Sequence, residues 1–389
     1  MSPRPRLALV LTGGGARGAY QAGVLRGLAD RMPRGAPSPF TIIAGASAGA
    51  INALALAAGS GDFRATTARL WETWANLDSR AVFRSDAGSI ARIGAHWTKD
   101  LLLGGFLGTT NSNHLLDTSP LRALLAAELD FGAMRASIRS GRVHAVAISA
   151  TNYASGAAVT FFEGGEGLEP WVRTARVGVR ASLSLEHVMA SAAIPVFFPP
   201  ERLAGSHWGD GCVRLSAPLS PAIHLGADQV LAIGVRTTPT AHEARADALR
   251  PLPRVAAADL GGTLLNAVFL DSLEADLERA QRINRTLALL GPHAAHPDGL
   301  RIVRADAICP SRDLGPLAGA AFASLPRTLR YMLRGIGVTE GNGWALLSYL
   351  AFDPSYTRPL LEIGRADALA SPWVDRVLDA DRSAPRSLD

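Results

Sequence analysis

Four short apolar runs recur along the chain, and longer segments of helical periodicity separate them. The runs are RLALVL at 6–11, FTIIAG at 40–45, VHAVAISATN at 143–152 and QVLAIGV at 229–235. Short, continuous apolar runs are typical of strands that are buried on both faces of a sheet. Helices between such strands are typical of parallel crossovers. The pattern therefore predicts an α/β fold with a parallel sheet that helices cover on both faces.

Two mainly helical regions interrupt this alternation. The first, 62–125, is too long for a simple crossover and predicts a helical cap inserted into the fold. The second begins with a long amphipathic helix pattern at 254–290, followed by a short predicted strand at 301–304 and further helix. The chain is thus predicted to consist of an α/β domain at 6–238 that contains the cap, a mainly helical extension at 239–375 and a polar tail at 376–389.

Composition limits the class of protein. Hydrophobic residues make up 48% of the chain, yet no apolar run approaches the ~20 residues that a membrane-spanning helix needs. The first apolar run is too short for the core of a secretory signal and ends in glycines rather than at a cleavage site. The two cysteines, Cys212 and Cys309, do not suggest a disulfide framework. We therefore expect a cytoplasmic protein.

The net charge of +5 is carried by arginine, because Lys99 is the single lysine among 39 basic residues. An arginine-rich surface can attract anionic lipid or nucleic acid, but these arginines are scattered and form no basic run. The sequence also lacks a basic-aromatic stripe, so nucleic-acid binding is not expected. His293 and His296 form an H-x-x-H pair without an evident third ligand, and neither a metal nor another cofactor is expected.

A glycine-rich loop, LTGGGARGAYQAG, follows the first predicted strand and opens a helix. Gly13, Gly15 and Gly18 have the G-x-G-x-x-G spacing of dinucleotide-binding loops. Such a site needs an acidic residue at the tip of the second strand to hold ribose, but that strand runs into Gly45-Ala46-Ser47, and Asp30 lies late in the first helix. We therefore expect the backbone N–H groups of the loop to face the oxyanion of an acyl transition state.

The second predicted strand ends in Gly45-Ala46-Ser47-Ala48-Gly49, a G-x-S-x-G pattern with a helix directly behind it. Serine on a sharp strand-to-helix turn needs small residues two positions before and after it, because the two backbones approach closely there. Small residues could also serve only to pack a strand against a helix. Five consecutive small residues around a central serine favour a nucleophile.

Serine needs a base to take its proton. His187 and His207 are candidates for a conventional triad, although neither lies in a decisive context. Asp210, between Gly209 and Gly211 in GSHWGDGCV, is a third candidate, because flanking glycines let another group come close to a carboxylate. A surface turn would use the same residues, so the spacing alone leaves the base open.

Four ordered motifs together resemble the patatin-like phospholipases. The segment Gly13-Gly14-Gly15-Ala16-Arg17-Gly18 resembles their oxyanion loop, and Gly45–Gly49 resembles their nucleophile elbow. Ala190-Ser191 with Pro195 is similar to their A-S-x-x-x-P block, and Asp210-Gly211 to their D-G-G/A block. FLDSLEADLERAQRIN and the sequence near the end resemble bacterial members with a helical carboxy-terminal extension. Cys212 departs from the family's glycine or alanine; cysteine is small, so we expect the turn to survive.

The resemblance implies a three-layer α/β fold related to α/β-hydrolases, with a mixed central sheet. It also implies a Ser-Asp dyad, with Ser47 as nucleophile and Asp210 as base. It implies hydrolysis of fatty acyl esters of phospholipids or lysophospholipids through an acyl-serine intermediate, without histidine or metal. A free aspartate is a weak base, and a desolvated carboxylate with a raised pKa would make this chemistry workable. Arg17 either braces the glycine loop or adds positive charge to it.

Other functions stay open on the same scaffold. An acyltransferase or a polyester depolymerase would use the same nucleophile, and a non-catalytic lipid-binding module would keep a relic of the site.

The segment WTKDLLLGGFLG at 97–108 either fills the core beneath the cap or inserts apolar side chains into a lipid surface. We therefore include transient contact with the inner face of the membrane among the expectations.

Overall fold

The computed structural model describes residues 5–373, apart from 85, 87, 89–93, 96–98, 100–112, 239–240, 250–254, 270–271, 291–298 and 340–341. Its described residues form one sheet of ten strands. The strands are β1 (Leu7–Leu11), β2 (Ile42–Ala46), β3 (Ala145–Asn152), β4 (Ala158–Gly164), β5 (Trp171–Arg173), β6 (Arg176–Arg180), β7 (Glu201–Leu203), β8 (Ser206–Asp210), β9 (Gln229–Ile233) and β10 (Arg304–Ile308).

The sheet has a parallel half and a mixed half. Strands β10, β9, β1, β2 and β3 are neighbours in that order and all run parallel. On the far side of β3, β4 is antiparallel, and β6 and β5 follow it. Helices cover both faces of the parallel half, which is why β1 and β2 are buried at every position. The four strands predicted from apolar runs are confirmed, and the sheet is mixed as predicted.

Strands β2 and β8 meet end to end against β3. β2 runs parallel to β3 and ends where Ala46 pairs with Ser149. β8 runs antiparallel to β3 and ends where Asp210 pairs with Ala150. β4 occupies the opposite edge of β3 at these positions, so β2 and β8 lie on the same edge and approach from opposite directions. The register therefore places the residues that follow β2 beside the end of β8.

Fifteen α-helices lie within the described part of the chain. They are α1 (Gly18–Asp30), α2 (Ala48–Ala58), α3 (Phe63–Ala75), α4 (Ser79–Val82), α5 (Ser119–Glu128), α6 (Phe131–Arg139), α7 (Leu185–Ser191), α8 (Ser220–His224), α9 (Ala241–Ala248), α10 (Ala257–Phe269), α11 (Ser272–Leu290), α12 (Gly319–Phe322), α13 (Arg327–Gly335), α14 (Trp344–Leu350) and α15 (Pro354–Ala370). None of them is both long and apolar enough to cross a bilayer.

The described residues of the predicted cap form α3, α4 and α5. The segment 97–108, in which we predicted lipid contacts, lies outside the described residues except for Lys99.

The helix pattern at 254–290 forms two helices, α10 and α11, and the strand predicted at 301–304 is β10, shifted to Arg304–Ile308. Because β10 pairs with β9, the carboxy-terminal extension contributes a strand to the main sheet.

Helix α15 packs closely along α1. The two backbones approach at glycines: a Cβ added to Gly364 would overlap the carbonyl of Tyr20 and lie 2.9 Å from the N atom of Val24. Arg365 of α15 donates a hydrogen bond from Nε to Asp30 Oδ2 (2.7 Å) at the end of α1. The carboxy-terminal helix is therefore part of the core that covers the sheet.

We expect Gly364→Ala to destabilise the protein by about 1–3 kcal/mol, because the added methyl group forces two packed backbones apart. Thermal unfolding of the purified variant measures this loss. Gly335→Ala is the matched control: Gly335 ends α13, and a Cβ there would meet nothing within 4 Å. An unchanged melting temperature for Gly364→Ala would contradict the close approach of α1 and α15.

Candidate active site

Ser47 occupies a strained turn between β2 and α2. Its φ of 55° and ψ of −129° lie in a region that residues with side chains rarely adopt. A Cβ at Gly45 would overlap the carbonyl of Gly49, and a Cβ at Gly49 would overlap the carbonyl of Leu11. The small residues on either side of Ser47 are thus required by the close contact of strand and helix.

Ser191 holds this turn from the opposite side. The Ser47 N–H donates to Ser191 Oγ (2.9 Å), and Ser191 Oγ donates to the carbonyl of Ser149 (2.6 Å). Ser149 is the β3 residue that pairs with Ala46, immediately before Ser47. Ser191 is fully buried at the end of α7. One hydroxyl therefore ties the strained turn to the sheet.

Asp210 is fully buried at the end of β8. The Cys212 N–H donates to Asp210 Oδ1 (2.9 Å), whereas Oδ2 has no hydrogen-bond partner among the described residues. Burial raises the pKa of Asp210 to about 7, because a charged carboxylate loses its hydration there; the side chains of Ser47 and Cys212 and the Cys212 N–H act in the opposite direction. The carboxylate that faces Ser47 is therefore a stronger base than a free aspartate.

The glycine loop completes this cluster. A Cβ added to Gly13 would lie 2.8 Å from the Cβ of Ser47 and would overlap the Cys212 sulfur. Residues Gly14 to Gly18 continue through a single 3-10 turn, Gly15–Arg17, into α1. The structure thus brings together the glycine loop, the serine turn and the Asp210-Gly211-Cys212 segment, as the motifs predict.

Arg17 braces the glycine loop against the carboxy-terminal part of the chain. The side chain is buried, and its Nε donates to Ser348 Oγ (2.9 Å) on α14. The guanidinium carbon lies 5.0 Å from the ring centroid of Tyr349, a cation–π distance. The sequence left two roles open for Arg17, bracing the glycine loop or adding positive charge to it. These contacts are those of a bracing side chain.

Cys212 occupies a turn that keeps its expected shape. Gly211 to Val213 form a short 3-10 turn, and Gly211 lies so close to the carbonyl of Ser149 that no side chain would fit there. The thiol is buried against Gly13, and burial together with the Asp210 carboxylate raises the pKa of Cys212 well above its ordinary value. The thiol therefore stays neutral beside the carboxylate.

Neither candidate histidine is placed to serve Ser47. His187 Nδ1 interacts with the hydroxyl of Ser184 (2.9 Å) and accepts the Ser184 N–H (3.2 Å), which completes a capping box at the start of α7. His207 is exposed, and because neighbouring strand residues alternate between faces, it points away from the face of β8 that carries Asp210. The pair His293 and His296 lies outside the described residues, and no metal-binding cluster occurs in the part that is described.

A buried polar network behind Ser47 was not predicted from the sequence. Gln21 Nε2 donates to the carbonyl of Thr12 (2.6 Å), and Asn52 Nδ2 donates to Gln21 Oε1 (3.1 Å). Trp74 Nε1 in turn donates to Asn52 Oδ1 (2.9 Å). The network joins the start of the glycine loop to α1, α2 and α3. Its signal in the sequence is Asn52, a single polar residue within the otherwise apolar helix AINALALAA.

An apolar cavity of about 230 Å³ begins at Ser47. Ala192, Ile194, Phe198 and Phe352 line it, together with side chains of α2, α3 and α5. Exposed side chains, including Arg69 and Glu128, lie at its rim, so the cavity opens to solvent. An apolar channel that starts at a serine hydroxyl is suited to a ligand with a polar head and a long hydrocarbon tail.

Comparison with known protein families assigns this chain to a family. A family model described as patatin-like phospholipase matches residues 9–223, which is more than half of the chain. No curated protein matches the sequence. The family assignment rests on the family model, and it confirms the resemblance seen in the four motifs.

Several solved structures match most of this chain. VipD from Legionella pneumophila is 16% identical, with 92% of this chain and 67% of that chain covered and a TM-score of 0.34. Human GIVD cytosolic phospholipase A2 is 15% identical, with 97% of this chain covered and a TM-score of 0.42. This chain spans 58% of the human protein's structure. The type III effector protein ExoU is 14% identical, with 90% of this chain and 78% of that chain covered and a TM-score of 0.29.

The pKa of Asp210 predicts the pH dependence of catalysis. If Asp210 accepts the serine proton, activity requires its ionised form, so kcat/KM should rise through about pH 7 and fall about tenfold per pH unit below that value. Rates with a soluble short-chain ester between about pH 5 and about pH 9 measure this profile. A profile that stays flat down to about pH 5 would show that an ordinary carboxylate, or a different group, is the base.

We expect Ser191→Ala to lower kcat about tenfold to a hundredfold with little change in KM, because the serine turn loses its anchor while the cavity walls are untouched. Ser137→Ala is the matched control, since Ser137 is also buried and its Oγ accepts from Ser60 Oγ (2.9 Å) at the other end of α2. Both variants should lose about 1–2 kcal/mol of stability, measured by thermal unfolding. Equal kcat values for the two variants would contradict this prediction and would show that Ser191 contributes to stability alone.

Proposed function

Because this chain belongs to the patatin-like phospholipase family, we propose that it is a serine acyl hydrolase that cleaves fatty acyl esters of phospholipids or lysophospholipids. The observation that carries the proposal is the buried carboxylate of Asp210, which faces Ser47 and has a pKa of about 7. A carboxylate tuned to neutral pH is suited to take a proton from serine and to return it to a leaving alcohol.

In the proposed first step, the Ser47 Oγ attacks the carbonyl carbon of the ester while its proton passes to Asp210. The carbonyl oxygen becomes an oxyanion, and its collapse breaks the ester C–O bond. The leaving alcohol takes the proton from Asp210, and the acyl group stays bound to Ser47. In the second step, water attacks this acyl group and gives a proton to Asp210, and Ser47 recovers its proton as the fatty acid leaves.

The glycine loop is proposed to stabilise the oxyanion. The N–H of Ser47 is already bound to Ser191 Oγ, so other donors must serve. The first N–H groups of the 3-10 turn at Gly15–Arg17 and of α2 have no partners within their own helices. The amino-terminus of α2 adds a partial positive charge beside Ser47. Together these groups can stabilise negative charge that develops on the substrate.

The substrate class follows from the family and from the cavity. Phospholipid and lysophospholipid esters carry the long hydrocarbon chains that the apolar cavity beside Ser47 can bury. Phospholipids are presented at membrane surfaces, which favours transient membrane contact of the protein. That contact was expected in the segment 97–108, of which the structure describes Lys99.

Labelling with a fluorophosphonate, combined with hydrolysis of a fluorescent phospholipid, tests the dyad. We expect Ser47→Ala and Asp210→Asn each to lower turnover about a thousandfold or more, because the two side chains act as one unit. Ser47→Ala should also abolish labelling. His187→Ala and His207→Ala should keep most of the wild-type rate, since neither side chain is placed to serve Ser47.

Circular dichroism of each variant controls for folding. His187→Ala removes a helix cap and should cost about 1 kcal/mol of stability. Loss of activity in a folded His187→Ala or His207→Ala variant would contradict the dyad and favour a conventional triad. Labelling that persists in Ser47→Ala would contradict the assignment of the nucleophile. Acyl transfer to an added alcohol in preference to water would identify a transferase.

A further inference from the structure

The cavity beside Ser47 is aligned with a single helix. Ala48, Ile51, Ala55 and Ala58 all line it, and they lie on one face of α2 because they are three or four residues apart. They extend from the first turn of the helix, next to Ser47, to its last turn. The cavity therefore follows the length of α2.

Helix α3 forms a second wall of the cavity and runs antiparallel to α2. Near Ser47, Trp74 in the last turn of α3 donates its hydrogen bond to Asn52. At the other end, Thr66 in the first turn of α3 donates from Oγ1 to the carbonyl of Gly59 (2.6 Å), just after α2. These two contacts hold the helices side by side, so both ends of the cavity have defined positions.

The two α2 residues that line the cavity farthest from Ser47 are both alanines. Ala55 and Ala58 are half-buried, and each presents only a methyl group to the cavity. Across from them, Leu121, Leu124 and Leu125 of α5 complete an apolar wall. Glu128, Asp130 and Arg69 also line the cavity and are exposed, so a long ligand can extend into solvent beside them.

Distances along α2 convert into lengths of hydrocarbon chain. With a rise of about 1.5 Å per residue, Ala55 lies about 10 Å and Ala58 about 15 Å beyond Ala48. An extended alkyl chain advances about 1.25 Å per bond, since bonds of about 1.5 Å meet at about 111°. A chain that starts at Ser47 therefore reaches Ala55 at about eight carbons and Ala58 at about twelve.

We propose, as an extension of the proposed acyl hydrolase activity, that the α2 face formed by Ala48, Ile51, Ala55 and Ala58 binds the acyl chain of the substrate and sets its preferred length. The two alanines keep the channel open past eight carbons, and longer chains extend into solvent at the exposed rim without further gain. The enzyme is thus selective for medium and long acyl chains over short ones.

A series of 4-nitrophenyl esters in a fixed ratio to a non-ionic detergent tests the proposal. For the wild-type protein, kcat/KM should rise from butanoate to dodecanoate by about threefold to fourfold for each methylene that is buried. It should then level off towards hexadecanoate, because further carbons reach solvent. A wild-type profile that does not rise between butanoate and dodecanoate would overturn the proposal.

Two substitutions shorten the channel at different points. Relative to the wild type, Ala55→Phe should lower the ratio of kcat/KM for dodecanoate to that for butanoate by at least about tenfold, so that the rise stops at about octanoate. Ala58→Phe should lower kcat/KM for esters longer than octanoate relative to that for octanoate. Both rings enter existing empty space, which limits overpacking of the core.

Ala127→Phe is the matched control, because Ala127 is exposed on α5 and does not line the cavity. Its chain-length profile should equal that of the wild type. Wild-type profiles in both Ala55→Phe and Ala58→Phe would show that the acyl chain binds elsewhere. An equal loss for all esters in Ala58→Phe would also contradict length selection. Butanoate hydrolysis that survives in Ser47→Ala would instead contradict the proposed hydrolase itself.

Discussion

The burial of Asp210 is the constraint on which the site depends. Raising the pKa of a carboxyl from 3.8 to about 7 costs about 4 kcal/mol of folding free energy once the group is ionised. The folded state binds the proton more tightly than the unfolded state does, so this cost develops as the pH rises from about 4 to about 7. The surrounding fold must supply that free energy. In return, the proposed mechanism gains a base that is matched to neutral pH.

A second unfavourable feature lies directly beside the first. Ser47 has a positive φ, and its turn is held by the Ser191 hydroxyl and by close contact of Gly45 and Gly49 with neighbouring backbone. Strain of this kind persists only where the surrounding structure over-determines the conformation. The end-to-end meeting of β2 and β8 on one edge of β3 brings the strained turn and the buried carboxylate together.

The support for this site extends well beyond the segment that the family model matches. Arg17 of the glycine loop is held by Ser348, and α15 packs along α1 through Gly364. Strands β9 and β10 extend the sheet on the side of β1. The carboxy-terminal residues therefore belong to the same core as the predicted α/β domain, and the glycine loop gains its rigidity from both parts of the chain.

The sequence alone determined the local features of this protein. Four apolar runs identified four of the five strands of the parallel half, β1, β2, β3 and β9, because strands buried on both faces must be apolar throughout. Small residues around Ser47 indicated a tight turn, because only they permit the backbone contacts observed there. Strands β4 to β8 were not predicted. Strands β5 to β8 are exposed or partly buried and carry no continuous apolar signal, and in β4 the polar Thr160 and Glu163 interrupt the apolar run.

Only the tertiary structure shows how Asp210 and the two histidines are placed relative to Ser47. Spacing along the chain could not show that β8 ends beside Ser47, that His207 points away from it, or that His187 caps a helix. The role of Ser191 as an anchor, the bracing by Arg17 and the cavity along α2 also depend on residues far apart in sequence. Such contacts form when separate elements pack, and local periodicity does not record which elements become neighbours.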